Sequence, residues 1–380
     1  MRILHVVPTF FPATYWGGPI YSLYGLCNAL AVRNGLQIRV LTSDAAGPRL
    51  SQKVDVAHYP ANYPQGYEVY FCPRIAGASL APRMFAEMHG MIRWSDVVHV
   101  TAAYSSPTIP ALLLCRMLGK PLVWSPQGAL QRWQGSTRPW LKAAWDAVCR
   151  SLIVPARTVI HATSEREAEA TRRRMPRCRI EIVPNGVDLP GIPEPRQWVP
   201  SGELRLLFLG RLHPIKGIEN LLRALASIDD TSISLRICGT GNSSYVDSLR
   251  AFVQALGLQG RATFVGEIAA DEKSAAFQSA DICVVPSFSE NFGLVVAESL
   301  AHGVPVIAAR GTPWAGLEQR ACGIWVDNTP AAIAGAIGKM KEQDLQVMGQ
   351  RGRSWMAECF GWNAIARRMH DCYSSLSSQA

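Results

Sequence analysis

The chain has 380 residues, 48% of them hydrophobic and 18% charged, and a net charge of +9. That length exceeds one typical core and suits two domains, the composition excludes extended disorder, and no apolar run approaches the roughly 20 residues of a membrane span. The charge is lopsided: residues 1–190 hold 21 Lys and Arg against 11 Asp and Glu, whereas residues 191–380 hold 17 against 18. An anionic partner such as a phospholipid surface, a lipid diphosphate or a nucleic acid would therefore meet the first half.

The start, "MRILHVVPTF", has one Arg and an apolar run soon broken by Pro8, which is poor for a signal peptide and reads as a first strand, "RILHVV" (2–7). Strand-like runs follow at "QIRVLT" (37–42), "DVVHV" (96–100), "PLVWS" (121–125), "TVIHAT" (158–163) and "IEIVP" (180–184), with helical patterns over 20–33 and 164–175 between them. Residues 184–203 then hold five prolines, and neither regular element persists through such a stretch. Beyond it come "LRLLFLG" (204–210), "SLRICG" (234–239), "ATFVG" (262–266), "DICVVP" (281–286) and "VPVIAA" (304–309), with helical patterns over 217–228 and 243–256. Apolar strands alternating with helices imply parallel sheets covered on both faces, twice over. The expected division is a Rossmann-like domain over 1–186, a linker over 187–203, a second Rossmann-like domain over 204–360, and a terminal helix over 361–380 returning to the first. Ligands of open α/β sheets bind beyond the carboxyl ends of the strands, so the site is expected in the cleft where the two domains face each other. Ten scattered cysteines without a C-x-x-C pair read as reduced thiols in a cytoplasmic protein.

The loops at the strand ends carry the candidate chemistry. Gly17 and Gly18 immediately precede a helix, where backbone N–H groups can approach a phosphate, although an ordinary turn has the same signature. In "GRLHPIKGIENLL", Arg211 and Lys216 occupy a loop leading from a strand into a helix and can neutralise a diphosphate, or can simply be solvated charges. "CGTGNSSY" (238–245) imitates a dinucleotide fingerprint but has Ser244 in place of the third Gly, so it reads as a tight turn. "PSFSENFGLVVAESLAHGVPVIAA" (286–309) sets Glu290 and Glu298 with seven residues between them in an otherwise apolar run.

Together "GRLHPIKG", "PSFSENFGLVVAESLAHGVPVIA", "PNGVD" and the Gly-Gly loop resemble glycosyltransferase family 4 (group 1), retaining nucleotide-sugar transferases of GT-B fold. The N-terminal "PATYWGGPI", "SPQGALQRW" and "HATSEREAEA" are similar to its bacterial exopolysaccharide and O-antigen branch. The resemblance implies that Arg211 and Lys216 hold the donor diphosphate and that Glu298 binds the ribose hydroxyls. It also implies that Glu290, Asn291, Phe292, Gly293 and Leu294 cup the transferred sugar and β-phosphate, with Arg211, Lys216 and Glu290 as the catalytic groups. Gly17 and Gly18 would close on the phosphate, and the backbone near Ile268 would border the base. Relatives carry a histidine near the sugar in one of two places, which here read "HVTAAY" with Thr101 and "SPQG" with Gln127. Gln127 can hydrogen-bond the sugar but cannot act as a base. His99 is either sugar-facing or a core histidine.

The implied reaction moves a sugar from a nucleoside-diphosphate sugar to an acceptor hydroxyl with retention. The departing phosphate oxygen takes the acceptor proton, and catalysis rests on positioning and charge stabilisation. No D-x-D triplet occurs, so no metal or other cofactor is expected. The expected acceptor is a lipid-linked saccharide, with no nucleic-acid partner. The cluster "TRRRMPRCR" (171–179) beside Trp133, Trp140 and Trp145 suits an anionic cytoplasmic leaflet, which implies a peripheral protein on the inner membrane. The competing readings are a nucleotide-sugar hydrolase or epimerase, and an idle sugar-nucleotide or polyanion binding module.

Overall fold

The structure is a computed structural model that describes residues 1–131, 138–191, 202–269 and 272–378. Trp133 and residues 192–201 of the expected linker lie outside the described residues. The chain divides into two compact units, Met1–Gly186 with Trp362–Ala380, and Val187–Gly361.

The first unit's described strands are β1 (Arg2–Val6), β2 (Gln37–Ser43), β3 (Ala61–Asn62), β4 (Glu68–Cys72), β5 (Val97–Thr101), β6 (Leu122–Ser125), β7 (Thr158–Ala162) and β8 (Arg179–Ile182). They form one sheet in the order β3-β4-β2-β1-β5-β6-β7-β8, parallel except where β3 meets β4. The second unit's are β9 (Leu204–Leu209), β10 (Ile233–Cys238), β11 (Ala262–Gly266), β12 (Ile282–Val285), β13 (Val306–Ala309) and β14 (Gly323–Val326), in the parallel order β11-β10-β9-β12-β13-β14. Helices α1 (Gly18–Ala31), α2 (Pro82–Trp94), α3 (Thr108–Met117), α4 (Pro139–Leu152) and α5 (Glu165–Arg174) cover the first sheet. The second carries α6 (Ile218–Ala226), α7 (Ser243–Ala255), α8 (Lys273–Gln278), α9 (Leu294–Ala301), α10 (Gly316–Gln319), α11 (Pro330–Lys341) and α12 (Leu345–Cys359). The last helix, α13 (Trp362–Ser377), belongs to the first unit.

Side chains alternate across a pleated strand, and both faces of the first sheet are dry. Ile3, Val40, Val97 and Val123 meet Leu23 and Leu26 of α1 and Met369 of α13. One position on, Leu4, Leu41, Val98 and Leu122 (one position before Val123) meet Met84 and Met88 of α2. That double burial is why these strands read as continuous apolar runs. The ring of Trp362 anchors α13: a Cβ on Gly25 of α1 or on Gly186 would lie 2.1 or 2.2 Å from it, so only glycine admits the indole at either place. All ten cysteines are free thiols. Among the described residues, no helix is long and apolar enough to cross a membrane.

Three strands have no counterpart in the sequence reading. In β4, Glu68 accepts from Arg39 Nε at 2.8 Å and from the Tyr70 hydroxyl at 2.9 Å, so one face of that strand is polar and the apolar run is interrupted. β3 is two residues long, and β14 is four residues that begin with Gly323.

Candidate active site

In the second sheet the strand order reverses between β9 and β12. The loops leaving these neighbours therefore open the crevice where α/β sheets bind ligands. Arg211 is exposed in the loop after β9, and Lys216 closes a short 3-10 turn just before α6. His213 caps that turn, its Nδ1 accepting from the Ile215 N–H at 3.2 Å. Burial, then the nearby cations Arg211 and Lys216, hold its imidazole below the usual range, so the acceptor stays neutral. His213 went unnoticed in the sequence reading, yet it marks where the two cations converge.

Glu290 lies in the loop after β12 and forms an ion pair with Lys216, while the Ser287 hydroxyl donates to the same carboxylate oxygen at 2.8 Å. This loop is clamped through its backbone. Phe288 N–H donates to Ile215 O at 2.8 Å, Glu290 N–H donates to Gly311 O at 3.0 Å, and Asn328 Nδ2 donates to Pro286 O at 2.6 Å. Gly311 is obligatory because an added Cβ would sit 2.2 Å from Ser287 O and 2.4 Å from Phe288 O, both backbone atoms. Gly311→Ala should cost about 1–3 kcal/mol of stability by denaturant unfolding. Displacing Glu290 should lower turnover by a further factor of order 10² in the protein that remains folded.

Beyond Glu290, Phe292 is buried and Gly293 takes φ +78° to turn the chain into α9. Trp314 Nε1 donates to Phe292 O at 2.5 Å and fixes this corner. Asn291 lies in the same loop. Helix α9 has no side-chain cap, so no capping side chain meets the N–H groups of Leu294 and Val295 at the positive end of the helix dipole. Glu298 falls in the second turn of α9. Lys273 Nζ of α8 donates to its Oε1 at 2.6 Å, while its Oε2 is buried with no hydrogen-bond partner among the described residues. Burial pushes the Glu298 carboxyl above the usual range, and Lys273 only partly offsets this. Lys273 gave no signal in the sequence. Ile268 follows β11 and packs half-buried against the cluster that holds Phe277 and Val296.

The first unit has its own constellation, also at a reversal of strand order, between β1 and β5. Gly17, at φ +71°, caps α1, and a Cβ on Gly17 or Gly18 would meet nothing within 4 Å. Ser22, His99, Thr101, Gln127, His161 and Asn185 border a cavity of about 20 Å³, room for one water. The hydroxyls of Ser22 and Thr101 are buried there without partners among the described residues. Beside it Ala102 and Gln127 hold φ of 78° and 54°, left-handed values that non-glycine residues adopt only when their surroundings enforce them. One enforcer is Glu167 of α5, fully buried: Oε1 accepts the Gly128 N–H at 2.5 Å, and Oε2 accepts the N–H and hydroxyl of Thr163, each at 2.8 Å.

His99 is a core histidine, which corrects its candidacy as a sugar contact. His161 Nε2 lies 2.7 Å from Val183 O and must donate to it, so His161 Nδ1 accepts from the Ser125 hydroxyl at 2.6 Å. Ser125 Oγ in turn accepts from His99 Nε2 at 2.6 Å, which leaves His99 Nδ1 to accept from the Tyr373 hydroxyl at 2.6 Å. Both His99 nitrogens are thereby spent. Burial keeps all three histidines of this sheet neutral, with His161 down to about 4 and His5 down to about 3. Among the described residues, no cluster of three or more His, Cys, Asp or Glu could hold a metal ion.

A family model described as "Glycosyltransferase Family 4" matches residues 16–190, and one described as "Glycosyl transferases group 1" matches residues 194–355. A D-inositol 3-phosphate glycosyltransferase of Xylanimonas cellulosilytica is 27% identical over all of this chain and 97% of its own length. One from Arthrobacter sp. is 28% identical over 75% of this chain and 71% of its own. Among solved structures, sucrose-phosphate synthase from Thermosynechococcus elongatus superimposes with a TM-score of 0.75 at 21% identity, covering 100% of both chains. Anabaena HepE in complex with UDP-glucose gives 0.71 at 19% identity, covering 99% of this chain and 100% of that one. Two parallel-sheet α/β domains with these neighbours make the fold GT-B.

Proposed function

This chain belongs to the family 4, group 1 glycosyltransferases and is an enzyme of the hexosyltransferase kind, and from that premise we propose that it transfers a sugar, with retention, from a nucleoside-diphosphate sugar to an acceptor hydroxyl. The observation that carries this is the convergence at β9 and β12 of three features: the cations Arg211 and Lys216, the uncapped N-terminus of α9, and a buried carboxylate with one oxygen unpartnered. Cations and helix N–H groups suit the diphosphate that departs, and the Glu298 carboxylate suits the ribose hydroxyls. Glu290, tied to Lys216, borders the transferred sugar. Within the first unit, Gln127 and Thr101 can hydrogen-bond a sugar or an acceptor, and the backbone at Gly17 and Gly18 can approach a phosphate.

The UDP-glucose complex of HepE supports a uridine nucleotide as the first donor to test. Thermal-shift measurements against UDP-, GDP- and TDP-sugars should raise the melting temperature with one base class, because a ligand bound only by the folded state stabilises it. No shift with any of them overturns the donor site. Turnover is expected to survive EDTA, since Arg211, Lys216 and the α9 terminus supply the positive charge a divalent cation would otherwise bring. Activity lost to chelation and restored by Mg²⁺ contradicts that assignment.

For the acceptor we propose a lipid-linked saccharide of surface polysaccharide synthesis, met by a protein peripheral to an anionic cytoplasmic leaflet. The name of the relatives favours a second reading, a phosphorylated inositol. Either acceptor suits a half with ten more Lys and Arg than Asp and Glu. Assaying both acceptors with the same donor separates them.

A further inference from the structure

Helix α4 is built inside out. A surface helix ordinarily turns its apolar stripe inward and its charges to water. Here Asp146 is buried, accepting from the Tyr104 hydroxyl at 2.8 Å and from Arg174 Nη1 at 3.1 Å. Lys142 turns the same way, over the Tyr104 ring at 5.5 Å, and Trp145 donates its indole N–H to Ala103 O at 2.9 Å. The opposite face presents Trp140 at 71% exposure, Val148 at 43% and Leu141 at 41%, with Ala143, Ala144 and Ala147 exposed among them. Neighbouring α3 adds Met117 at 70% and Leu113 at 41%, and its Arg116 Nη1 donates to Ser151 O near the end of α4 at 2.6 Å. Exposed large apolar side chains grouped on one surface mark a binding face. Arg116, Arg138 and Arg150 rim it, and the single acidic residue of α3 and α4 is the buried Asp146.

We propose that this α3–α4 face docks on an anionic phospholipid bilayer, with Trp140, Leu141, Val148 and Met117 entering the headgroup boundary and Arg116, Arg138 and Arg150 meeting lipid phosphates. The inference deepens, and rests on, the membrane reading above. An apolar face whose exposed charges on α3 and α4 and at Arg138 are all arginines matches a surface of negative headgroups over acyl chains. Against a second copy of the same face it would set like charges together. The expected basic cluster over 171–179 fits less well: Arg174 is tied to Asp146, Arg172 to Glu165 and Arg179 to Glu181, and Trp145 points inward.

The test is flotation of the full chain with phosphatidylcholine vesicles with or without phosphatidylglycerol. The protein should bind the anionic vesicles and be released by salt. Trp140→Glu with Val148→Glu should weaken binding at least about tenfold, and Met117→Glu, on the other helix, should weaken it in the same direction. Arg172→Gln with Arg173→Gln on α5 should change it little. Unfolding temperature and UDP-glucose binding, measured on each variant, should match the parent because every substituted side chain is exposed. If the parent fails to bind anionic vesicles, the membrane reading and this face fall together. If the parent binds and both the Trp140/Val148 and Met117 variants bind equally well, this face is wrong and the membrane reading stands. A parent that self-associates through Trp140 and ignores lipid assigns the face to a second copy instead.

Discussion

Glu298→Gln should weaken nucleoside-diphosphate binding by roughly 10- to 100-fold, the scale of a hydrogen bond to a charged group, while the protein stays folded. The variant keeps an acceptor for Lys273 at Oε1 but replaces the unpartnered buried oxygen by an amide that donates, which ribose hydroxyls meet less well. Calorimetry on the folded variant reads this directly, and unchanged affinity removes the ribose assignment. The same carboxylate predicts a pH dependence. Burial raises its folded pKa above the unfolded value, so its contribution to stability is fully present below the ordinary glutamate range and is lost as pH rises through the raised value. Ligand binding runs the other way, because hydroxyl donors prefer the ionised form. Nucleotide affinity should therefore fall as pH drops through the raised pKa in the parent protein, and the Gln variant should lack that step.

Lys216→Met should lower turnover by about 10²–10³-fold, the usual loss when a charge aimed at a leaving group is removed. Glu290→Gln should also lower turnover, with little change in nucleotide affinity, because Glu290 is paired with Lys216 and the proposed donor site assigns it to the sugar, with the nucleoside left to Glu298. Since the two form one unit, the double variant should lose less than the sum of the single losses. Additive losses, or a Glu290→Gln defect confined to nucleotide affinity, would separate them.

The legible parts of this protein were those written locally. Continuous apolar runs announced β1, β2, β5 to β8 and most of the second sheet, because parallel strands covered on both faces need little else. The helical pattern over 164–175 announced α5, which the Ser164 hydroxyl caps by accepting the Glu167 N–H at 3.2 Å. The loops holding Arg211, Lys216 and Glu290 stood out because glycine, charge and a strand end coincide there. What escaped was set by distant partners. His99 could be recognised as a core residue only through Tyr373, which lies 274 positions away. Lys273 is 25 residues before its partner Glu298, with no pattern linking them. Gly311 looks like an ordinary loop glycine until the carbonyls of Ser287 and Phe288 are seen against it. Trp140 and Trp145 were grouped as one surface, yet five residues along a helix turn the chain by roughly 140° beyond a full turn. One therefore faces solvent and the other is bonded to Ala103.

The proposed reaction is retaining transfer from a nucleotide sugar to a hydroxyl. Its most direct test follows the anomeric proton by NMR during turnover of the donor selected in the thermal-shift screen, with and without each candidate acceptor. Donor consumption should depend on acceptor, and the product should keep the anomeric configuration of the donor. Inversion at that carbon, or equal consumption of donor when no acceptor is present, would contradict it.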